Sequence, residues 1–469
     1  MDSRMKESLE AIFKPRSVAI VGASNNPRRW GNETMRNMLT GRYRHKLYPI
    51  NPSEDEVLGV KCYPSLSNVP GKIDLAIIVI NASLVPEVIQ ECIDKKVKGG
   101  VVITAGFAEL GSEGAKFQRK LAQESKQAGF NFIGPNCLGI WSSEGNVNTV
   151  YWDEILPLKG PVSFISQSGT LGEYFAKTAK KFGFGISKFV SCGNQACVNF
   201  IDLLEYFGDD PETKVIAGYV EDVGDGRRFL EVASAVTAKK PILIYKAGST
   251  EAAARAARSH TAAIAGNLEF FDAACRQAGV IRWQNFLEMF YMAEALGYQP
   301  LPRGNRVAVM SSGGGFCVTA AEACTQLGLE LPEMTAEVQT LLREQMQSFA
   351  PPPVNPIDCI ARKGRDAYIK IIEIVASQDY IDGLIATPGL GRFDRASSAK
   401  NMIKHLNYAE TIAAVPKKFN KPIILGDENR FSGPAYEIFK RNHIPFFDNP
   451  MDCAKAMYGL MKYGEIRNR

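Results

Sequence analysis

The sequence has no stretch of some 18 consecutive apolar residues, and residues 1–19 lack the basic, then apolar, then small-residue order of a secretory leader. A soluble, cytoplasmic protein with no membrane partner is therefore expected. Also missing is the paired cysteine spacing of a zinc site or a small disulfide scaffold. The ten cysteines (62, 92, 137, 192, 197, 275, 317, 324, 359 and 453) are dispersed through apolar or turn segments and read as reduced thiols. Cys192 and Cys197 are close in sequence, but with no second pair and no nearby histidine they do not make a metal site, so none is expected. Strong charge of one sign is lacking too. A net charge of +5 over 469 residues, with Lys and Arg scattered, excludes a nucleic-acid-binding stripe.

What is present suits a globular protein: 45% hydrophobic and 22% charged residues, in a chain too long for one core. About 150 residues per domain gives about three domains. The β-branched run Ser17-Val-Ala-Ile-Val21 ends at Gly22-Ala-Ser-Asn-Asn-Pro27, and residues 32–39 then read as a helix. Strand, Gly/Ser turn, helix is the phosphate-binding opening of a Rossmann-type domain, in which free N–H groups and the helix dipole face an anion. A full G-x-G-x-x-G is absent. The next run closes on Asn51-Pro52, where a dinucleotide domain carries an acid for the ribose, which argues against NAD. Further strands are expected at 75–80, 100–104 and 131–134, with helices at 86–95 and 115–128. The strands end in Asn81-Ala-Ser83, Ala105-Gly-Phe-Ala-Glu109 and Pro135-Asn-Cys-Leu-Gly139. In a parallel sheet such ends line one crevice, here suited to an extended, phosphate-bearing ligand.

A second unit opens at Pro161-Val-Ser-Phe-Ile165, followed by Ser166-Gln-Ser-Gly-Thr170 and a helix over 171–182. Hydroxyls and free N–H groups at that helix start suit a phosphate, and equally an ordinary N-cap. The unit continues through a strand at 186–190, a helix at 202–207, a strand at 215–220 that ends at Glu221-Asp222, a helix at 227–237 and a strand at 241–245. That last strand launches Lys246 to Gly266, a segment of mostly Ala, Gly, Ser and Thr around His260. Imidazole is a nucleophile and a leaving group near neutral pH, so a histidine on a slender loop can carry a group between two places. The same segment reads as an Ala-rich helix with a surface histidine. Glu221, one strand away, is placed to fix the tautomer of His260 and raise its basicity.

A third unit follows the Pro-rich linker 298–304. Its strand at 306–310 runs into Ser311-Ser-Gly-Gly-Gly315 and a helix at 318–327. Later strands are expected at 384–387, 422–425 and 445–447, and helices at 408–415, stopped by Pro416, and at 451–462. The Pro-rich segment 350–358 reads as an ordered loop.

The order Gly22-Ala-Ser24, Gly134-Pro-Asn-Cys-Leu-Gly139, Ser166-Gln-Ser-Gly-Thr170, Asp209-Asp-Pro-Glu-Thr-Lys214 and Ser259-His-Thr261 resembles the α subunit of NDP-forming acyl-CoA synthetases. These are relatives of succinyl-CoA synthetase, and the ADP-forming acetyl-CoA synthetases resemble the chain most. The resemblance covers almost the whole chain. It implies an α/β fold: a Rossmann-like CoA-binding domain (1–150), a flavodoxin-like domain with the phosphohistidine loop (151–297) and a second flavodoxin-like, ligase-CoA type domain (298–469).

It further implies that His260 is phosphorylated, that Glu221 is its carboxylate partner, and that Ser166, Gln167, Ser168, Gly169 and Thr170 aim a helix start at the phosphoryl group. CoA, a substrate, would lie near Gly22, Ala23, Ser24, Asn25, Asn51, Pro52, Thr104, Ala105, Gly106, Asn136 and Cys137. The implied activity is that of an acid–thiol ligase: acyl-CoA, phosphate and ADP reversibly give acid, CoA and ATP through an acyl phosphate and phosphohistidine. The implied partner is a separate ATP-grasp β subunit in an α2β2 assembly, which would supply ADP/ATP and Mg2+. Ser53 stands where the family often has a basic residue, so contacts to the CoA phosphates are expected to differ; Asn81 stands where it often has proline. A CoA- or acyl-CoA-sensing regulatory protein without turnover is the alternative, and a nicotinamide-dependent oxidoreductase a third reading.

Overall fold

The computed structural model of the protein describes residues 1–151, 155–253, 255, 268–387, 399–427 and 433–468. These form two compact units, one of residues 1–181 and 185–284, the other of 182–184 and 285–469. No helix of the described residues is long and apolar enough to cross a membrane.

The first unit holds two sheets. In the first, β1 (Ser17–Val21), β2 (Lys46–Ile50), β5 (Leu75–Ile78), β6 (Gly99–Val102) and β7 (Asn131–Ile133) run parallel in the order β2-β1-β5-β6-β7; β3 (Glu56–Val57) and β4 (Val60–Lys61) form a separate small hairpin. All five residues of β1 are buried, as a strand covered on both faces requires, and this explains its unbroken apolar run. The chain leaves β1 toward β2 and returns to β5 on the other side. A crevice therefore opens beyond the carboxyl ends of β1 and β5, where doubly wound sheets bind ligands. Helix α2 (Trp30–Thr40) begins two residues before the apolar periodicity indicates. Its entry is tight: a Cβ on Gly31 would lie 1.9 Å from the Gly22 carbonyl oxygen, and Gly22, at φ +93°, would itself meet the Val79 carbonyl at 2.2 Å.

The second sheet has the order β14-β13-β12-β10-β11-β8-β9. Its strands are β8 (Ile140–Ser142), β9 (Val147–Asn148), β10 (Lys159–Ser166), β11 (Ile186–Ser191), β12 (Val215–Val220), β13 (Ile242–Lys246) and β14 (Ile281–Trp283). β10 to β14 are parallel, and β8 pairs antiparallel with β11. The β8–β9 hairpin precedes residue 150 yet belongs to this sheet, and is tied back to α2: Asn148 Nδ2 donates to Asn37 O at 3.1 Å, and Asn37 Nδ2 to Thr149 O at 3.3 Å. Helix α5 (Thr170–Phe182) lies on the sheet through Phe175, whose ring centroid is 4.5 Å from that of Phe164. On the opposite face of β11 from Phe189 is a fully buried ion pair, Lys188 Nζ to Asp210 Oδ2 at 2.7 Å, with Thr213 Oγ1 donating to the same oxygen at 2.5 Å. Asp210 and Thr213, both in the Asp209–Lys214 motif, thus seat the buried lysine.

The second unit holds the third sheet, all parallel, in the order β16-β15-β17-β18-β19: β15 (Val307–Ser311), β16 (Ile357–Asp358), β17 (Gly383–Ala386), β18 (Ile423–Gly426) and β19 (Phe446–Phe447). Helix Gly314–Gln326 starts directly on the glycines after β15, earlier than expected, because glycine lowers helix propensity but is no obstacle in a first turn. The helix expected at 408–415 spans Ala399–Ala413. Pro416 opens the next short helix, Val415–Phe419, at a first-turn position where no N–H is needed.

Candidate functional site

The crevices of the two sheets of the first unit join in a cavity of 1520 Å³. At one end lies the turn after β1. Gly22 and Ser24 line the cavity, Ala23 is buried beneath it, and Asn25 faces away, giving its amide to Glu54 Oε2 at 2.8 Å and to the Glu56 carbonyl at 2.7 Å. Asn51 and Pro52, at the end of β2, form the adjoining wall. The Asn51 amide donates to the Ala23 carbonyl at 2.7 Å and so fixes the turn. A neutral side chain stands here because its work is done on the protein backbone.

The middle is built from the ends of β5, β6 and β7. Thr104 Oγ1 accepts from Ile80 N–H at 3.2 Å and donates to Ile80 O at 2.9 Å, closing the gap between neighbouring strand ends. Ala105, Gly106, Asn136 and Cys137 complete this wall. Cys137 donates its S–H to Val102 O at 3.3 Å, and burial pushes its pKa up to about 12, so it is an inert thiol rather than a nucleophile. Asn136, at φ +57°, donates to Asn194 Oδ1 at 3.2 Å; Asn194 donates to Glu109 Oε2 at 2.6 Å; Glu109 Oε1 accepts from Gly106 N–H at 2.6 Å. Burial opposes ionisation of Glu109, but these donors outweigh it and hold the pKa below the ordinary carboxylate value.

At the far end, Gln167, Ser168, Gly169 and Thr170 line the cavity where α5 begins. The start of a 13-residue helix presents N–H groups of the kind that suit an anion, as they suit an ordinary N-cap. The Ser168 and Thr170 hydroxyls are 3.4 Å apart there. Ser166 is buried and spends its hydroxyl on Ser168, donating to its carbonyl at 2.6 Å and accepting from its N–H at 3.1 Å. The Gln167 side chain is a strut: Oε1 accepts from Glu221 N–H at 2.6 Å and Asp222 N–H at 3.0 Å, and Nε2 donates to Asp222 O at 2.5 Å. This ties the end of β10 to the end of β12, where Glu221 is 8% exposed. The next strand end is held by Lys246, whose buried ammonium donates to Glu221 O at 2.7 Å and Ala247 O at 2.8 Å. Burial lowers its pKa from the ordinary lysine value, against the pull of the Asp222 and Glu221 carboxylates. His260 lies outside the described residues.

The strand-end residues named from sequence thus gather along one cavity, with Ala23, Asn25, Ser166 and Glu221 supporting its walls. Sequence reasoning missed Asn194 and Lys246. Asn194 sits in a Gly-Asn-Gln turn with no local signature, and a lysine closing an apolar strand reads as a solvated end. Among the described residues no cluster of His, Cys, Asp and Glu could hold a metal ion.

Comparison with known proteins agrees with this geometry. Residues 16–142 match a family model described as a CoA binding domain, and residues 159–296 one described as a succinyl-CoA ligase like flavodoxin domain. The α subunit of acetate–CoA ligase [ADP-forming] II from Pyrococcus furiosus is 40% identical over 97% of both chains. Acetate–CoA ligase [ADP-forming] I from Archaeoglobus fulgidus is 34% identical over 98% of this chain, which spans 64% of that longer protein. Among solved structures, acetyl-coenzyme A synthetase 1 of Ca. Korarchaeum cryptofilum, in complex with phosphate and ADP, superposes with a TM-score of 0.86 at 32% identity over 98% of each chain.

Proposed function

Since this chain belongs to the family of ADP-forming acetate–CoA ligases, whose α subunits it matches over nearly their full length, we propose that it acts as the α subunit of an acyl-CoA synthetase and carries a phosphoryl group on His260. CoA lies along the cavity from the Gly22 turn toward α5, with its thiol end near Ser168 to Thr170. The observation that carries this reading is the continuity of the cavity: one space joins a CoA-type crevice to the start of α5.

The reaction divides into three exchanges. Phosphate held at the start of α5 attacks the acyl-CoA carbonyl carbon; the C–S bond breaks, and acyl phosphate and CoA form. His260 then attacks phosphorus, the acid leaves as carboxylate, and phosphohistidine remains. ADP takes the phosphoryl group, giving ATP and free His260. The chain's own contribution is position and charge: N–H groups at the helix start neutralise phosphate, and the Gln167 strut holds the Glu221 backbone so that its carboxylate can orient His260. Nucleotide and Mg2+ belong to a separate ATP-grasp β subunit, in an α2β2 assembly in the cytoplasm. Residues 1–150, 151–297 and 298–469 serve as CoA-binding, phosphohistidine and ligase-CoA type domains, with the β8–β9 hairpin of the first joining the sheet of the second. A sensing protein without turnover is not favoured, because the relatives matched over their full length are named as ligases.

Incubation with acetyl phosphate, or with acetyl-CoA and labelled phosphate, tests this. An acid-labile, base-stable adduct on the wild type that is lost in His260→Ala is expected. No adduct across a panel of acyl donors with the β subunit present refutes it.

A further inference from the structure

A ligand with a diphosphate and a 3′-phosphate needs cations, and the residue that follows Asn51-Pro52 on the cavity wall is the neutral Ser53. The cavity wall settles where a cation is available. Of its charged lining residues, three are acids, Glu54, Glu87 and Glu91, and one is basic, Arg29. We propose that Arg29 is the residue that grips a phosphate of the nucleotide end of CoA. This rests on the reading of the cavity as the CoA site.

The surroundings favour the assignment. Arg29 is exposed and, among the described residues, its guanidinium is engaged by no carboxylate. Its backbone, by contrast, is fixed. Its N–H donates to Asn26 O at 3.0 Å and its carbonyl accepts from Asn32 N–H at 3.0 Å, so the side chain projects from a rigid turn. A planar guanidinium binds phosphate oxygens in pairs, which a lysine cannot match. Two of the acids are already engaged with protein donors. Glu54 accepts from the Asn25 amide, and Glu91 accepts from Leu66 N–H at 3.1 Å. They repel phosphate on the wall they occupy and so bias the charged end of the ligand toward Arg29. Beside it Trp30, 55% exposed and also on the wall, offers a flat face to a base.

Titration calorimetry with CoA and with 3′-dephospho-CoA, at low and high salt, tests the proposal on the full chain in wild type, Arg29→Ala and Arg29→Lys. Arg29→Ala should bind CoA about tenfold to a hundredfold more weakly, with a smaller response to salt, and Arg29→Lys should recover part of the loss. Dephospho-CoA that suffers the same loss assigns Arg29 to the diphosphate, and dephospho-CoA that suffers little assigns it to the 3′-phosphate. Either result supports the proposal. Unchanged CoA affinity in Arg29→Ala overturns it while leaving the cavity assignment intact; so does weaker binding with an unchanged salt response, which marks a merely structural effect. Wild-type protein that binds no CoA overturns both.

Discussion

Replacing Gln167 by alanine tests how the two central strand ends of the second sheet cooperate. The side chain is 6% exposed and makes three hydrogen bonds to the backbone of Glu221 and Asp222. At ~0.5–1.5 kcal/mol each, they contribute roughly 2–4 kcal/mol together. Gln167 also faces the cavity, so water can enter and satisfy part of what alanine abandons, which places the loss toward the lower end. That energy holds Glu221 in register with the start of α5. If half of it is expressed in the positioning of the carboxylate, phosphorylation slows by about tenfold. Gln167→Glu separates the two roles. It keeps an acceptor for both N–H groups, loses the donor to Asp222 O, and sets a negative charge beside an anion site, so it should be more stable than alanine yet slower to label. The assay is the rate of labelling from acetyl phosphate, read beside the thermal midpoint, which in alanine should fall by roughly 5 °C. Alanine protein that labels at the wild-type rate with an unmoved midpoint would refute the strut.

Removing the ammonium of the buried Lys188–Asp210 pair by Lys188→Met should destabilise the first unit by about 3 kcal/mol or more, because Asp210 is left charged and dry; urea unfolding measures it, and a midpoint shift worth under about 1 kcal/mol would contradict this account. Glu109 gives a pH signature. Its folded pKa lies below its unfolded one, so its contribution to stability is fully present above the unfolded carboxylate value, about 4.3, and is lost as pH falls through the folded value. Glu109→Gln should flatten the loss of stability between about pH 5 and pH 3, measured by thermal melts, and a mutant curve parallel to wild type would argue against it.

Much of the scaffold was legible in the sequence because parallel strands covered on both faces leave largely apolar runs, as in β1, β12 and β13. That the strand ends would line one crevice followed from a topological rule, that crevices open at carboxyl ends. What stayed hidden had no periodicity to betray it. The β8–β9 hairpin is three residues against two, and β14 is three residues long. The chain of Asn136, Asn194 and Glu109 joins positions 58 and 85 residues apart, and no local pattern encodes a hydrogen bond across such a distance. Gln167 shows the limit from the other direction. Its place in a Ser-Gln-Ser-Gly-Thr turn reads as a phosphate contact, whereas its amide is committed to the neighbouring strand. Only three-dimensional placement separates a residue that touches the ligand from one that holds the residues around it.

The hairpin has one further consequence. Because β8 and β9 lie before residue 150 in the chain yet form the outer strands of the second sheet, the first unit is stitched rather than strung. A gene cut at that point would yield a first fragment bearing two orphan strands and a second with an open edge at β11, ready to pair with any passing chain. The hairpin thus serves both sheets at once: it extends the second through β11 and is held to the first through Asn37 of α2.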